Sequence, residues 1–160
     1  MRIITTLIFL FFISSANAEQ ITADYVLVKK SARVLFLLKE HKIIKAYRIS
    51  LGSKVKGKKL HINDGKTPEG VYTIDQHNPN SKFFYSLHIS YPNEHDKKIA
   101  SLLGINPGGD IYIHGLPNRF SDPGGFTGRD WTKGCLAVNN KQIREIAKMV
   151  KTGTTIEIVP

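Results

Sequence analysis

Tyr25-Val26-Leu27-Val28, Arg33-Val34-Leu35-Phe36-Leu37-Leu38 and Ile43 to Ile49 are three short apolar runs packed into residues 24–51. They are rich in β-branched and aromatic side chains and too short for helices, so each reads as a strand. Lys29 to Ala32 and the pair Glu40-His41 supply the turns between them. Residues 51–70 form a Gly- and Lys-rich loop, in which Gly65-Lys66-Thr67-Pro68-Glu69-Gly70 carries strong turn chemistry. Val71 to Asp75 alternates as a strand, Asn78 to Ser81 is a turn, and Phe83 to Tyr91 is expected to be a strand with Phe84, Ser86, His88 and Ser90 on one face. Ile111-Tyr112-Ile113 is a short strand ending at His114-Gly115, and Leu136 to Val138 another short buried segment.

Helical signals occur twice. Asn93 is an N-cap with Glu94 and Asp96 in the first turn, and Gly104 provides a left-handed stop. Asn139 stands in capping-box spacing with Gln142, ahead of an apolar face of Ile143, Ile146, Ala147 and Val150, with Gly153 as the expected end. Thr154 to Val159 then reads as a closing strand. Many short strands and two helices that do not alternate with them predict a mostly-β domain, sandwich- or barrel-like, with two peripheral α-helices. Helical bundles and doubly wound α/β folds fit poorly.

The first eighteen residues read as a secretory signal. Arg2 is the positive end, Ile3 to Ile13 the apolar stretch, and Ala16-Asn17-Ala18 the small-x-small site that predicts cleavage before Glu19. That apolar run is short for a bilayer, which needs about 20 residues, so no stable membrane anchor is expected after cleavage. Residues 19–160 then form a single domain, exported to the periplasm or cell envelope and expected to be monomeric. With 23 Lys+Arg against 13 Asp+Glu, the formal net charge is +10, which favours anionic partners. In an exported protein that points to acidic wall polymer or a membrane surface, not nucleic acid. The lysines are spread out and form no dense run.

Cys135 is the one cysteine of the chain. A thiol kept outside the cytoplasm with no intramolecular partner is liable to oxidation, so it needs a reason to be there. It is either a small buried hydrophobe or a nucleophile, and a histidine elsewhere in the sequence supplies a candidate base. His114 ends a strand, and Gly115 after it admits close backbone approach. Gly134 lets backbone N–H groups near Cys135 face a substrate carbonyl, and Lys133 adds positive charge that would favour the thiolate. Tyr112 and Trp131, with Phe120 and Phe126 in the long loop from Leu116 to Arg129, are candidates for stacking on substrate. Arg119 and Arg129 are candidates for gripping a carboxylate with a planar two-donor fork. The six histidines show no His-x-x-x-His or Glu-paired spacing, so a zinc site is not indicated.

Ile-His-Gly, a long loop and then Thr132-Lys133-Gly134-Cys135 resemble the active-site motif of YkuD-type L,D-transpeptidases. The segment from Gly65 to Ile74 is similar to that family's Thr-Pro-x-Gly-x-aromatic-x-Ile stretch, so the likeness runs from about Tyr25 to Ile158. The resemblance implies a β-sandwich-like catalytic domain with Cys135 as acylated nucleophile and His114 as base. It further implies that the Gly115 carbonyl orients the imidazole, that N–H groups of Gly134 and Cys135 hold the oxyanion, and that Thr132 fills the Ser/Thr position. It implies no metal or organic cofactor. The implied substrate is a peptidoglycan stem peptide: D-Ala leaves, a thioester forms, and an amine of a neighbouring stem or an envelope lipoprotein lysine attacks it. Water as acceptor would make a carboxypeptidase, and an existing cross-link or lipoprotein linkage as substrate a hydrolase. A non-catalytic wall-binding module is the remaining alternative. Many members have histidine where Lys133 stands and asparagine or arginine where Ala137 stands, so a second imidazole contact is missing.

Overall fold

The computed structural model describes residues 21–119 and 128–160. In chain order the elements are β1 (Ala23–Lys29), β2 (Val34–Lys39), β3 (Lys42–Arg48), β4 (Gly70–Asn78), β5 (Ser86–Ile89), α1 (Glu94–Leu102), β6 (Ile111–His114), β7 (Leu136–Ala137), α2 (Asn140–Met149) and β8 (Val150–Val159). The strands form one eight-stranded sheet in the order β3-β2-β1-β8-β4-β5-β6-β7. Bridges Ser50↔Ala137 and Gly52↔Thr132 tie the chain leaving β3 to β7 at the far end, so the sheet curls on itself. The mostly-β domain with two helices is thus what the chain forms.

The β2–β3 hairpin turns through two residues, with Lys39 opposite Lys42. Glu40 and His41 both take left-handed backbone, at φ 50° and 63°, as a tight turn between right-twisted strands requires. Alternation along the strands builds the core: Val26 and Val28, Leu35 and Leu37, Tyr72 and Ile74, Ile156 and Ile158 are all buried. Each such side chain contributes about 1.5–3 kcal/mol of burial. Both helices start at full capping boxes, Asn93 with Asp96 and Asn139 with Gln142. Helix α2 buries Ile143 and Ile146.

Three expectations are corrected. Helix α2 ends at Met149, not at Gly153, because Val150 is already extended and buried against Ala23. Gly153, at φ 94°, lies where the β1 pairing jumps from Ala23↔Val150 to Tyr25↔Thr155, and only glycine adopts that bulge readily. The strand expected to close the domain is longer and central: β8 runs parallel to β1 and antiparallel to β4. Finally, β5 begins at Ser86, because Phe84 takes φ 71° and turns the chain beforehand.

Two lysines are buried against the loop between β3 and β4: Lys59 within it, and Lys30, which follows β1 and reaches into it. Lys30 Nζ donates to Gly57 O, Thr67 O and Glu69 Oε1 at 2.9, 3.0 and 2.8 Å, which uses all three of its protons. Lys59 Nζ donates to His61 O at 3.0 Å and to Asp64 Oδ1 at 2.9 Å. Asp64 also accepts from the backbone N–H groups of Leu60, His61 and Lys66. Burial pushes this carboxyl up, but the Lys59 ammonium and those three N–H groups outweigh it and hold it at about 2.

Candidate active site

β6 and β7 are parallel, with Ile113 opposite Leu136 and His114 opposite Ala137. Ile113 and Leu136 go to the core, both fully buried. Side chains alternate, so the residue before Leu136 shares the face of Tyr112 and His114. That residue is Cys135. A cavity of about 420 Å³ opens on this face, lined among others by Phe83, Ser86, Asp110, Tyr112, His114 and Cys135. Strand register thus brings together two residues twenty-one positions apart.

His114 is buried, and its Nδ1 lies 2.7 Å from Gly115 O. A carbonyl only accepts, so Nδ1 carries the proton and Nε2 keeps its lone pair. The ring is walled by Phe83, 4.4 Å between centroids, and by Trp131 at 5.7 Å. Burial pushes this imidazole below its ordinary value of 6.5, against the smaller opposing effect of the Gly115 carbonyl. Cys135 is half-buried, and its thiol donates to Asp110 O at 3.5 Å. Burial raises the thiol, the Tyr112 N–H and the Lys59 ammonium lower it, and the Asp110 carboxylate raises it, with a net upward result. A raised thiol beside a lowered imidazole makes the resting pair neutral, not a thiolate–imidazolium pair.

The loop that carries Cys135 is fixed from beneath. Thr132 is buried; its hydroxyl donates to Cys135 O at 2.7 Å and accepts from the Gly134 N–H at 3.1 Å. Thr132 therefore clamps the turn and does not present its hydroxyl to substrate. The Gly134 N–H, expected to face an oxyanion, is engaged in that clamp. Gly134 is needed for another reason: its φ is 134°, and a Cβ there would sit 2.6 Å from Lys66 O. Gly115 is equally confined, since a Cβ would lie 2.7 Å from Asn140 Oδ1. Asp130 anchors the loop's start, pairing with Arg33 at 2.8 Å and accepting from the Leu51 N–H at 3.0 Å.

Tyr112 lines the cavity, its ring edge-on to His88 at 4.9 Å. Trp131 packs against the imidazole. Lys133 is exposed, and the cation that acts on the thiol is the buried Lys59. Arg119 and Arg129 are exposed and do not line the cavity. Phe120 and Phe126 lie outside the described residues. Phe83, Asp110, Asp130 and Lys59 were not anticipated as site residues. Only Phe83 carried a signal, an aromatic two residues after the Asn78 to Ser81 turn. Among the described residues no three His, Cys, Asp or Glu side chains gather as a metal-ligand set.

This fold and motif order define a protein class, and the YkuD profile, the L,D-transpeptidase catalytic domain, matches residues 23–158. The chain belongs to that family. It is 26% identical over 138 residues to a protein of Escherichia coli K12 named "Putative L,D-transpeptidase YafK", covering 82% of this chain and 48% of that one. Among solved structures it is similar to the helical cell shape determining protein Pgp2 of Campylobacter jejuni, with TM-score 0.62, 26% identity, and 84% and 46% of the two chains covered. It is also similar to Bd1075 of Bdellovibrio bacteriovorus, with TM-score 0.60, 28% identity, and 89% and 50% covered. The chain spans about half the length of the curated relatives it matches.

Proposed function

We propose that this domain is a peptidoglycan L,D-transpeptidase acting by cysteine acyl transfer. The observation that carries the reading is the shared cavity of His114 and Cys135, with the imidazole Nδ1–H fixed on Gly115 O and Nε2 left to accept. The thiol turns from Asp110 O toward Nε2, which takes its proton as sulfur attacks the stem-peptide carbonyl. Because the resting pair is neutral, proton transfer accompanies attack. The Cys135 N–H is the donor best placed for the oxyanion, since the Gly134 N–H is held by Thr132. The tetrahedral centre collapses to a thioester as His114 passes its proton to the departing D-Ala amine. An acceptor amine then attacks, His114 takes its proton, and sulfur leaves with a proton regained.

The same groups serve water as acceptor, so the carboxypeptidase and hydrolase readings differ only in what reaches the thioester. The leader-like residues 1–18 support export, which puts the domain beside its polymer in the envelope. Intact-protein mass spectrometry after incubation with a carbapenem tests the mechanism. One covalent adduct is expected, absent from Cys135→Ala. A folded protein with a free thiol and no adduct would point instead to a wall-binding module. Incubation with purified sacculi and identification of the muropeptides formed separates transfer from hydrolysis.

A further inference from the structure

A second groove, of about 650 Å³, runs along α2 between Phe84 and Lys45 of β3. Lys141, Arg144, Glu145 and Lys148 line it at spacings of three, four and seven, which is one stripe of the helix. Glu145 is taken by Lys45 at 2.7 Å. Among the described residues, neither Lys141 nor Arg144 has a carboxylate within ion-pair distance. Glu145 offsets part of this charge, through Lys45 and through Lys141 four residues before it, and Arg144, three residues from Lys141, adds like charge to the same stripe.

The groove is also preorganised. The Arg144 guanidinium lies 4.5 Å over the Phe84 ring, which leaves its in-plane N–H fork directed away from the face that stacks. Phe84 holds that ring from a φ of 71°, a strained backbone for a bulky residue, with its N–H donated to Asn118 Oδ1 at 2.8 Å. Strain of this kind persists where a site needs it. The groove and the cavity of Cys135 are lined by adjacent residues of the chain, Phe84 in the one and Phe83 in the other. Phe83, next to Phe84, stacks on His114. Asn140, also in the groove, accepts from the Leu116 N–H at 2.9 Å, one residue from the carbonyl that holds the imidazole. A concave cationic channel fits an extended acidic peptide and fits a flat bilayer poorly.

We infer that this groove seats the acceptor stem peptide through its free carboxylates, Arg144 making the two-pronged contact and Lys141 flanking it. The inference deepens the proposed function and rests on it for the identity of the peptide. The test titrates a soluble disaccharide tetrapeptide into Cys135→Ala protein by NMR, with and without the added pair Lys141→Glu and Arg144→Glu. Shifts should centre on α2 and Phe84, weaken by about tenfold in the charge-reversed protein, and fade as salt rises. In protein that retains Cys135, the same reversal should leave the carbapenem adduct forming at the parent rate while transfer to an amine acceptor drops. Lys141→Gln with Arg144→Gln repeats the test should the reversal fail to fold. Unchanged binding in the reversed protein, or shifts mapping elsewhere, overturns the inference. So does binding of phosphatidylglycerol vesicles through α2 in place of the peptide. Failure of the parent protein to form an adduct strikes only the catalytic reading, because the titration needs no chemistry.

Discussion

The sheet has two halves of different character, joined at β4. On one side β1, β2 and β8 have 7, 6 and 10 residues, with alternate side chains sealed into the core. On the other, β5, β6 and β7 have 4, 4 and 2 residues. Their inner face is as apolar as the first half, with Leu87, Ile89, Ile111, Ile113 and Leu136 buried. Their outer face carries Ser86, His88, Tyr112, His114 and then Cys135. A two-residue strand has almost no ladder of its own. Its position comes from polar clamps, namely Thr132 on Cys135 and Asp130 on Arg33 and Leu51. Stability therefore resides mainly in the long strands and the buried lysines, and the proposed chemistry in the short ones.

Substitutions should separate along that line. Cys135→Ala is expected to reduce acyl transfer by roughly 10⁴-fold or more with the melting temperature nearly unchanged, measured by muropeptide turnover and thermal unfolding. His114→Ala should cost roughly 10²–10⁴-fold with the fold intact; full activity there would remove His114 from the chemistry. Lys30→Met should do the reverse. It strands the Glu69 carboxylate beside buried carbonyls and should cost about 3–5 kcal/mol in denaturant unfolding, yet leave turnover per folded molecule unchanged. A Lys30 variant that is stable but inactive would erase the division between the halves.

Acid divides the two regions as well. In the proposed mechanism the neutral imidazole is the active form, and burial places its titration below 6.5, so turnover is expected to hold steady through that pH and fall only below it. The raised thiol puts the alkaline change above its ordinary value of 9.0. Asp64 works on stability. Its carboxyl is held at about 2 against an ordinary 3.8, so its contribution is complete above the ordinary value and lost as pH falls through about 2. That contribution is about 2 kcal/mol. Asp64→Asn should flatten this limb of the stability curve; an unaltered limb would remove the loop clamp from the account.

What could be read from residues alone was the local chemistry. The Asn93 N-cap, the Asn139–Gln142 capping box, the Glu40-His41 turn and the strand ending at His114 follow from near neighbours in the chain. What stayed hidden depends on distant partners. Gly153 looks like a helix stop, but Val150 is drawn into the sheet by Ala23. Phe83 to Tyr85 has strand composition, but Phe84 turns so that Phe83 can face His114. Lys30 and Lys59 look like solvated charge, and only the fold brings Glu69 and Asp64 to them. Thr132 and Gly134 were legible as motif positions, but their hydrogen bond to each other was not.

The placement of β8 between β1 and β4 governs the order of assembly. The hairpin of residues 23–48 can zip early from local pairs, but it has no lateral neighbour until a strand over a hundred residues downstream arrives. Until then the nascent polypeptide carries two unjoined sheet fragments with open edges, and closing that large loop is the slow event. Such a chain stays pliable along its whole length and becomes rigid only when residues 150–159 dock.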